Sequence, residues 1–147
     1  MQLIYQFFRL IRISNLMVIV LTMCLFYGLL SNYHLNRLYT LEEFGIPTDL
    51  LNLNFLTLVG LTDTYFILVI IAVILIAASG NIINDYFDQK ADRVNKPERL
   101  IIDKFIKRRW AIILNWTFNG IGFIIALYLS YQLENWWILV VSFLSIN

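Results

Sequence analysis

Residues 80–99 read GNIINDYFDQKADRVNKPER, and six of them are asparagine or aspartate: Asn81, Asn84, Asp85, Asp88, Asp92 and Asn95. A helix advances about 100° per residue. Counted from Asn84, Asn95 then falls near ~20°, Asp88 near ~40°, Asn81 near ~60°, Asp92 near ~80° and Asp85 near ~100°. All six share one arc of about 100°. Lys90 and Arg93 fall on the opposite side. The result is a stripe of oxygen-bearing side chains about 20 Å long, at about 1.5 Å per residue.

Such a stripe is unfavourable on its own. Exposed acids near a helix C-terminus oppose the macrodipole at about 0.3–1 kcal/mol each, and neighbouring carboxylates repel. A hard divalent cation removes the conflict. Mg²⁺ takes carboxylate oxygens and shares its remaining positions with water and a substrate phosphate. The six side chains of the stripe are the candidate oxygen ligands. The basic residues that follow, Arg93, Lys96, Arg99 and Lys104, are suited to phosphate oxygens. Other metal chemistry fits poorly. No D-x-D-x-D-G loop with a distal glutamate is present. Zinc would need Cys or His ligands, and the chain has one of each, Cys24 and His34. The competing reading is a solvated helix end, which a lone D-x-x-D at a membrane surface would usually be. Six residues on one arc, followed by a basic loop, favour a site.

The elements that carry the stripe are apolar. The chain is 60% hydrophobic, above the roughly 45–50% of soluble domains. A crossing helix needs about 20 mostly apolar residues. Spans are predicted over about 13–30, 64–83 and 110–129. A fourth begins at Trp136-Trp137 and reaches residue 147 too soon to cross. The expectation is an all-α, polytopic transmembrane bundle. It would be a single incomplete domain over 1–147, the N-terminal part of a longer protein. Net charge is +1, which suggests no nucleic-acid partner. Eight of the eleven Lys and Arg residues lie between Lys90 and Arg109. The basic loop over 93–109 is therefore predicted cytoplasmic, as is the N-terminus with Arg9 and Arg12, and the 31–63 loop lies outside. In a bacterium this would be the inner membrane. Leu50 to Leu61 is apolar but short, which suits an interfacial or re-entrant piece. Asn115 and Asn119 are costly in lipid and are expected to face the bundle interior. Gly120 and Gly122 are expected to be close-packing positions.

Asn84-Asp85-Tyr86-Phe87-Asp88-Gln89-Lys90-Ala91-Asp92 fits N-D-x-x-D-x-x-x-D, the signature of the UbiA-type intramembrane prenyltransferases. Asn95-Lys96-Pro97-Glu98-Arg99 resembles their N-x-P-x-R tail, and Arg12-Ile13-Ser14-Asn15 resembles the start of their first span. The resemblance implies a transmembrane bundle around a cavity open to lipid. It also implies Mg²⁺-dependent transfer of a prenyl chain from a prenyl diphosphate to a hydrophobic acceptor. By the same resemblance, Asn84, Asp88 and Asp92 would hold Mg²⁺ and diphosphate, with Asp85 in support. Arg99, Lys96 and Asn95 would contact the diphosphate, and Arg12 and Asn15 would border the pocket. The wording of the motif is most similar to the branch that alkylates geranylgeranylglyceryl phosphate in ether-lipid synthesis. An aromatic quinone precursor is the competing acceptor.

Two features depart from the family pattern. Its second motif, D-x-x-x-D, has no counterpart after Arg109, where Glu134 is the only acid. The chain alone is therefore expected to be inactive. Leu100-Ile101-Ile102-Asp103 also stands where members carry a Pro-rich turn. Outside the enzyme class, the alternatives are an ion-coupled transporter or a non-catalytic fragment. Transporter ion sites sit near the midplane, whereas this stripe starts at the membrane edge.

Overall fold

A computed structural model describes residues 2–43, 62–95 and 100–146. They form five helices: α1 (Gln2–Leu10), α2 (Ile13–Glu43), α3 (Asp63–Asn95), α4 (Arg108–Gln132) and α5 (Trp137–Ile146). There is no strand among the described residues. Three segments are long and apolar enough to cross a membrane: Ile13–Asn32, Asp63–Gln89 and Arg108–Gln132. The all-α transmembrane reading therefore stands, and the protein is an integral membrane protein.

Several boundaries differ from those read off the sequence. Hydropathy ends each span where polar residues begin, but backbone hydrogen bonds do not depend on side-chain polarity. Accordingly α2 runs on to Glu43, so residues 31–43 are helix rather than loop. The apolar piece over 50–61 lies outside the described residues. Likewise α3 passes through its polar stripe without interruption and ends at Asn95. Residues 93–95 thus belong to the helix rather than to the basic loop. A separate nine-residue helix, α1, precedes the first span. The joint after it is sharp, because Arg12 has φ 52°.

The outer faces are apolar and exposed. Met17, Val18, Leu21, Phe26 and Leu29 of α2 are open, as are Ile124 and Leu127 of α4. Exposure on this scale suits lipid contact rather than water. Close packing between α3 and α4 rests on small residues. A Cβ on Gly122 would meet Ile76 Cγ1 at 2.9 Å and the Ala72 carbonyl oxygen at 3.4 Å. Gly122 is thus a close-packing position. Gly120 is not, since nothing lies within 4 Å of its added Cβ. Between the same helices, Asn115 Nδ2 donates to the Ser79 carbonyl at 3.0 Å. The Ser79 hydroxyl meets the Asn119 side chain and lies 2.7 Å from the Ile76 carbonyl. Both asparagines therefore face the helix pair, where their polar groups are satisfied away from lipid.

The densest core sits at one end of the bundle, under the polar stripe. Leu10, Ile11 and Leu16 of the α1–α2 joint pack with Ala78 and Ile82 of α3. Ile101, Ile102 and Ile106 of the loop and Ala111 of α4 complete it. The loop makes this possible by folding tightly. Asp103 adopts φ 74° and its N–H donates to the Ile106 carbonyl at 2.8 Å. The Leu-Ile-Ile-Asp run is thus an apolar hairpin-like turn whose isoleucines are buried. At the other end, Asn135 caps α5 by accepting from the Trp137 N–H at 3.1 Å.

Candidate functional site

The stripe lies on the last four turns of α3. Because the helix continues to Asn95, the arc expected from the sequence exists as one helix face. Its residues are used differently. Asn81 Nδ2 donates to the Ile11 carbonyl at 2.9 Å, which binds α3 to the α1–α2 joint. Asp85 accepts from the Arg12 guanidinium at 2.8 Å. Asn84, Asp88 and Asn95 are exposed, and Asp92 is half-buried. Neither Asp88 nor Asp92 has an ion-pair partner among the described residues. Both lie close enough to Asp85 to act on it electrostatically.

The positive φ of Arg12 explains how the arginine reaches α3. The turn ends α1 and starts α2, with Asn15 N–H and Leu16 N–H donating back to the Arg12 carbonyl at 2.8 and 3.3 Å. The side chain is thereby thrown across to Asp85. The pair is partly exposed, at 43% and 22% of the two side chains. A double-mutant cycle with Arg12→Ala and Asp85→Ala, read by thermal unfolding in detergent, is expected to give a coupling of about 0.5–1 kcal/mol. Strict additivity would show that the contact does not hold the joint to α3.

Asn15 lines a concavity of about 440 Å³ with Arg12, Ser14, Arg9, Tyr5 and Phe8. Lys96 and Arg99 lie outside the described residues. Arg93 turns away from the stripe and donates to Asp103 at 3.2 Å. Lys104 sits 5.6 Å from the Phe105 ring centre. Of the basic residues suggested for phosphate, then, Arg93 is already engaged by an acid.

Two residues of the site escaped the sequence reading. Gln89 is 3% exposed, and its Oε1 accepts from Arg108 Nε at 2.6 Å. Arg108 also stacks over Tyr86, 5.5 Å from the ring centre, and lies 3.9 Å from Asp103. Gln89 falls near ~140° on the helical wheel, beside the stripe, and that adjacency was the available signal. No local pattern could pair it with Arg108, a contact that only tertiary folding makes.

Two concavities flank the stripe. One is a cell of about 10 Å³ lined by Asp85, Gln89, Asp92, Leu100, Ile101 and Ile102. The other is an apolar groove of about 690 Å³ between α3, α4 and α5, whose α3 wall includes Val73, Ala77 and Gly80. On the wheel those three fall within about 40° of Asn84. The other α3 residues of the groove, Val69, Ala72 and Ile76, fall near ~300°, ~240° and ~280° on the wheel, so the groove lies on the face beside the stripe and its α3 wall ends at Gly80, next to Asn81.

The donor set fits a hard cation. Asn84, Asp88 and Asp92 can each present a side-chain oxygen, and neither aspartate has an ion-pair partner among the described residues. No group of three or more His, Cys, Asp or Glu gathers into a metal-sized cluster among the described residues.

The UbiA prenyltransferase family profile matches residues 54–146. The chain is 38% identical over 60 residues to a digeranylgeranylglyceryl phosphate synthase of Methanosarcina barkeri, covering 41% of this chain and 21% of that protein. It is 40% identical over 63 residues to the synthase of the same name from Metallosphaera sedula, covering 43% and 22%. The corresponding figures for Thermococcus gammatolerans are 42% over 64 residues, covering 44% and 23%. The chain thus spans about a fifth of the length of the curated relatives it matches. No solved structure matches it. The Asn- and Asp-bearing face of α3 and the apolar groove beside it lie inside the profile match, and the chain belongs to the UbiA prenyltransferase family.

Proposed function

We propose that this chain is the diphosphate-gripping part of a membrane prenyltransferase that moves a prenyl chain from a prenyl diphosphate to a lipid acceptor of the geranylgeranylglyceryl phosphate type. One observation carries the reading: a single helix presents an oxygen stripe at its end and an apolar groove on the adjoining face. A substrate with a charged head and a hydrocarbon tail has the same two-part chemistry. The names of the matched relatives favour the ether-lipid acceptor over an aromatic one.

In this reading Asn84, Asp88 and Asp92 hold Mg²⁺, with Asp85 behind them. When bound, the ion neutralises charge that develops on the leaving diphosphate. Arg12 keeps Asp85 fixed against the joint, so the stripe keeps its shape. Lys96, Arg99 and Asn95 take diphosphate oxygens. The apolar walls exclude water, which would otherwise compete with the acceptor for the allylic carbon. The C–O bond to diphosphate breaks, and a bond from the acceptor oxygen to the same carbon forms as its hydroxyl proton leaves. The N-terminus and the basic loop face the cytoplasm, and residues 1–147 form one domain with the rest of the bundle.

The test uses membranes containing the full-length protein, labelled geranylgeranyl diphosphate and candidate acceptors. The expected product is a labelled lipid phosphate that disappears on chelation and returns with Mg²⁺. A labelled aromatic product, or transfer indifferent to chelation, would overturn the reading.

A further inference from the structure

Gln89 carries the next step, which rests on the function just proposed. The residue is 3% exposed, and its Nε2 has no hydrogen-bond partner among the described residues. The amide cannot be turned over. Arg108 Nε is a donor only, so the atom facing it at 2.6 Å must be the Gln89 oxygen. The amide hydrogens have no partner among the described residues, and Gln89 lines one small cell with Asp85 and Asp92. A buried donor without a partner costs about 1–3 kcal/mol, so the cell calls for an acceptor. Its volume of about 10 Å³ is close to what a single water needs.

We propose that Gln89 is a positioning residue for the Asp85–Asp92 pair, donating to one water that donates in turn to the two carboxylates. Arg108 sets the orientation of Gln89 from the first turn of α4. The bridge ties Asp92 to Asp85, which Arg12 already holds, and so fixes one edge of the stripe. The remaining carboxylate oxygens stay free for ligand. The start of α4 and the α1–α2 joint thereby act on the same carboxylate pair from opposite sides.

The experiment measures binding of geranylgeranyl diphosphate with Mg²⁺ to the full-length protein by calorimetry, alongside thermal unfolding. Gln89→Glu keeps an acceptor for Arg108 but removes the inward donor. It is expected to bind about tenfold more weakly, and its unfolding midpoint is expected to fall, because the bridge is present without ligand. Affinity equal to or tighter than wild type would reduce Gln89 to an anchor for Arg108 and overturn the proposal. Should Gln89→Glu fail to fold, Gln89→Met is read by the same criterion. Wild-type affinity in Asp92→Ala would strike the proposed function instead, which separates the two failures.

Discussion

Alanine at Asp88 or Asp92 is expected to slow prenyl transfer by the full-length protein by on the order of 10²–10³-fold, the scale seen when one charge-stabilising group is removed from a reacting centre. The unfolding midpoint of Asp88→Ala should not fall. Asp88 is exposed, and neither residue has an ion-pair partner among the described residues. Removing such a carboxylate relieves repulsion and weakens the clash with the helix dipole. Loss of activity together with equal or greater stability is the signature of a group kept for chemistry. Asparagine at either position should recover part of the rate, since it keeps an oxygen and drops the charge. Rates close to wild type in both alanine variants would mean that the stripe is only a solvated helix end. The assay is single-turnover transfer of labelled prenyl chain at saturating Mg²⁺.

The second large effect is structural. Gly122→Leu must place a Cβ 2.9 Å from Ile76 Cγ1 and 3.4 Å from the Ala72 carbonyl oxygen. Side chains can shift, but the backbone oxygen of α3 cannot do so without moving the helix. Overpacking of this kind costs about 1–3 kcal/mol, and here it acts on the pair that carries the stripe. Gly120→Leu is the internal control, because that position is open. The expected result is a lowered unfolding midpoint in Gly122→Leu and none in Gly120→Leu. Adding Ile76→Ala should recover part of the loss, because it removes the nearer obstacle. Equal midpoints for the two glycine variants would show that the helices separate freely at this level.

The sequence revealed most where one helix holds the whole pattern. The arc from Asn81 to Asn95 needs only a helical period, so its common face followed from spacing. The interior placement of Asn115 and Asn119 follows from the poor tolerance of lipid for unpaired amides. Where two distant segments meet, the pattern was silent. Nothing local distinguishes Gly122 from Gly120, and only the position of α3 decides which one is crowded. The same holds for Gln89 and Arg108, and for Arg93, whose partner Asp103 sits on a turn made by buried isoleucines. The extension of α2 to Glu43 leaves no mark in hydropathy, which locates the lipid boundary and not the end of a helix.

Arg12 sits where the backbone and the side chain make opposite demands. Its φ of 52° belongs to a region that costs a non-glycine residue on the order of 1 kcal/mol. Glycine would relax the turn but abolish the reach to Asp85. The two effects are of similar size, so a search that ranks variants by heat resistance alone would pass glycine at this position and keep a protein with one of its acids unmoored.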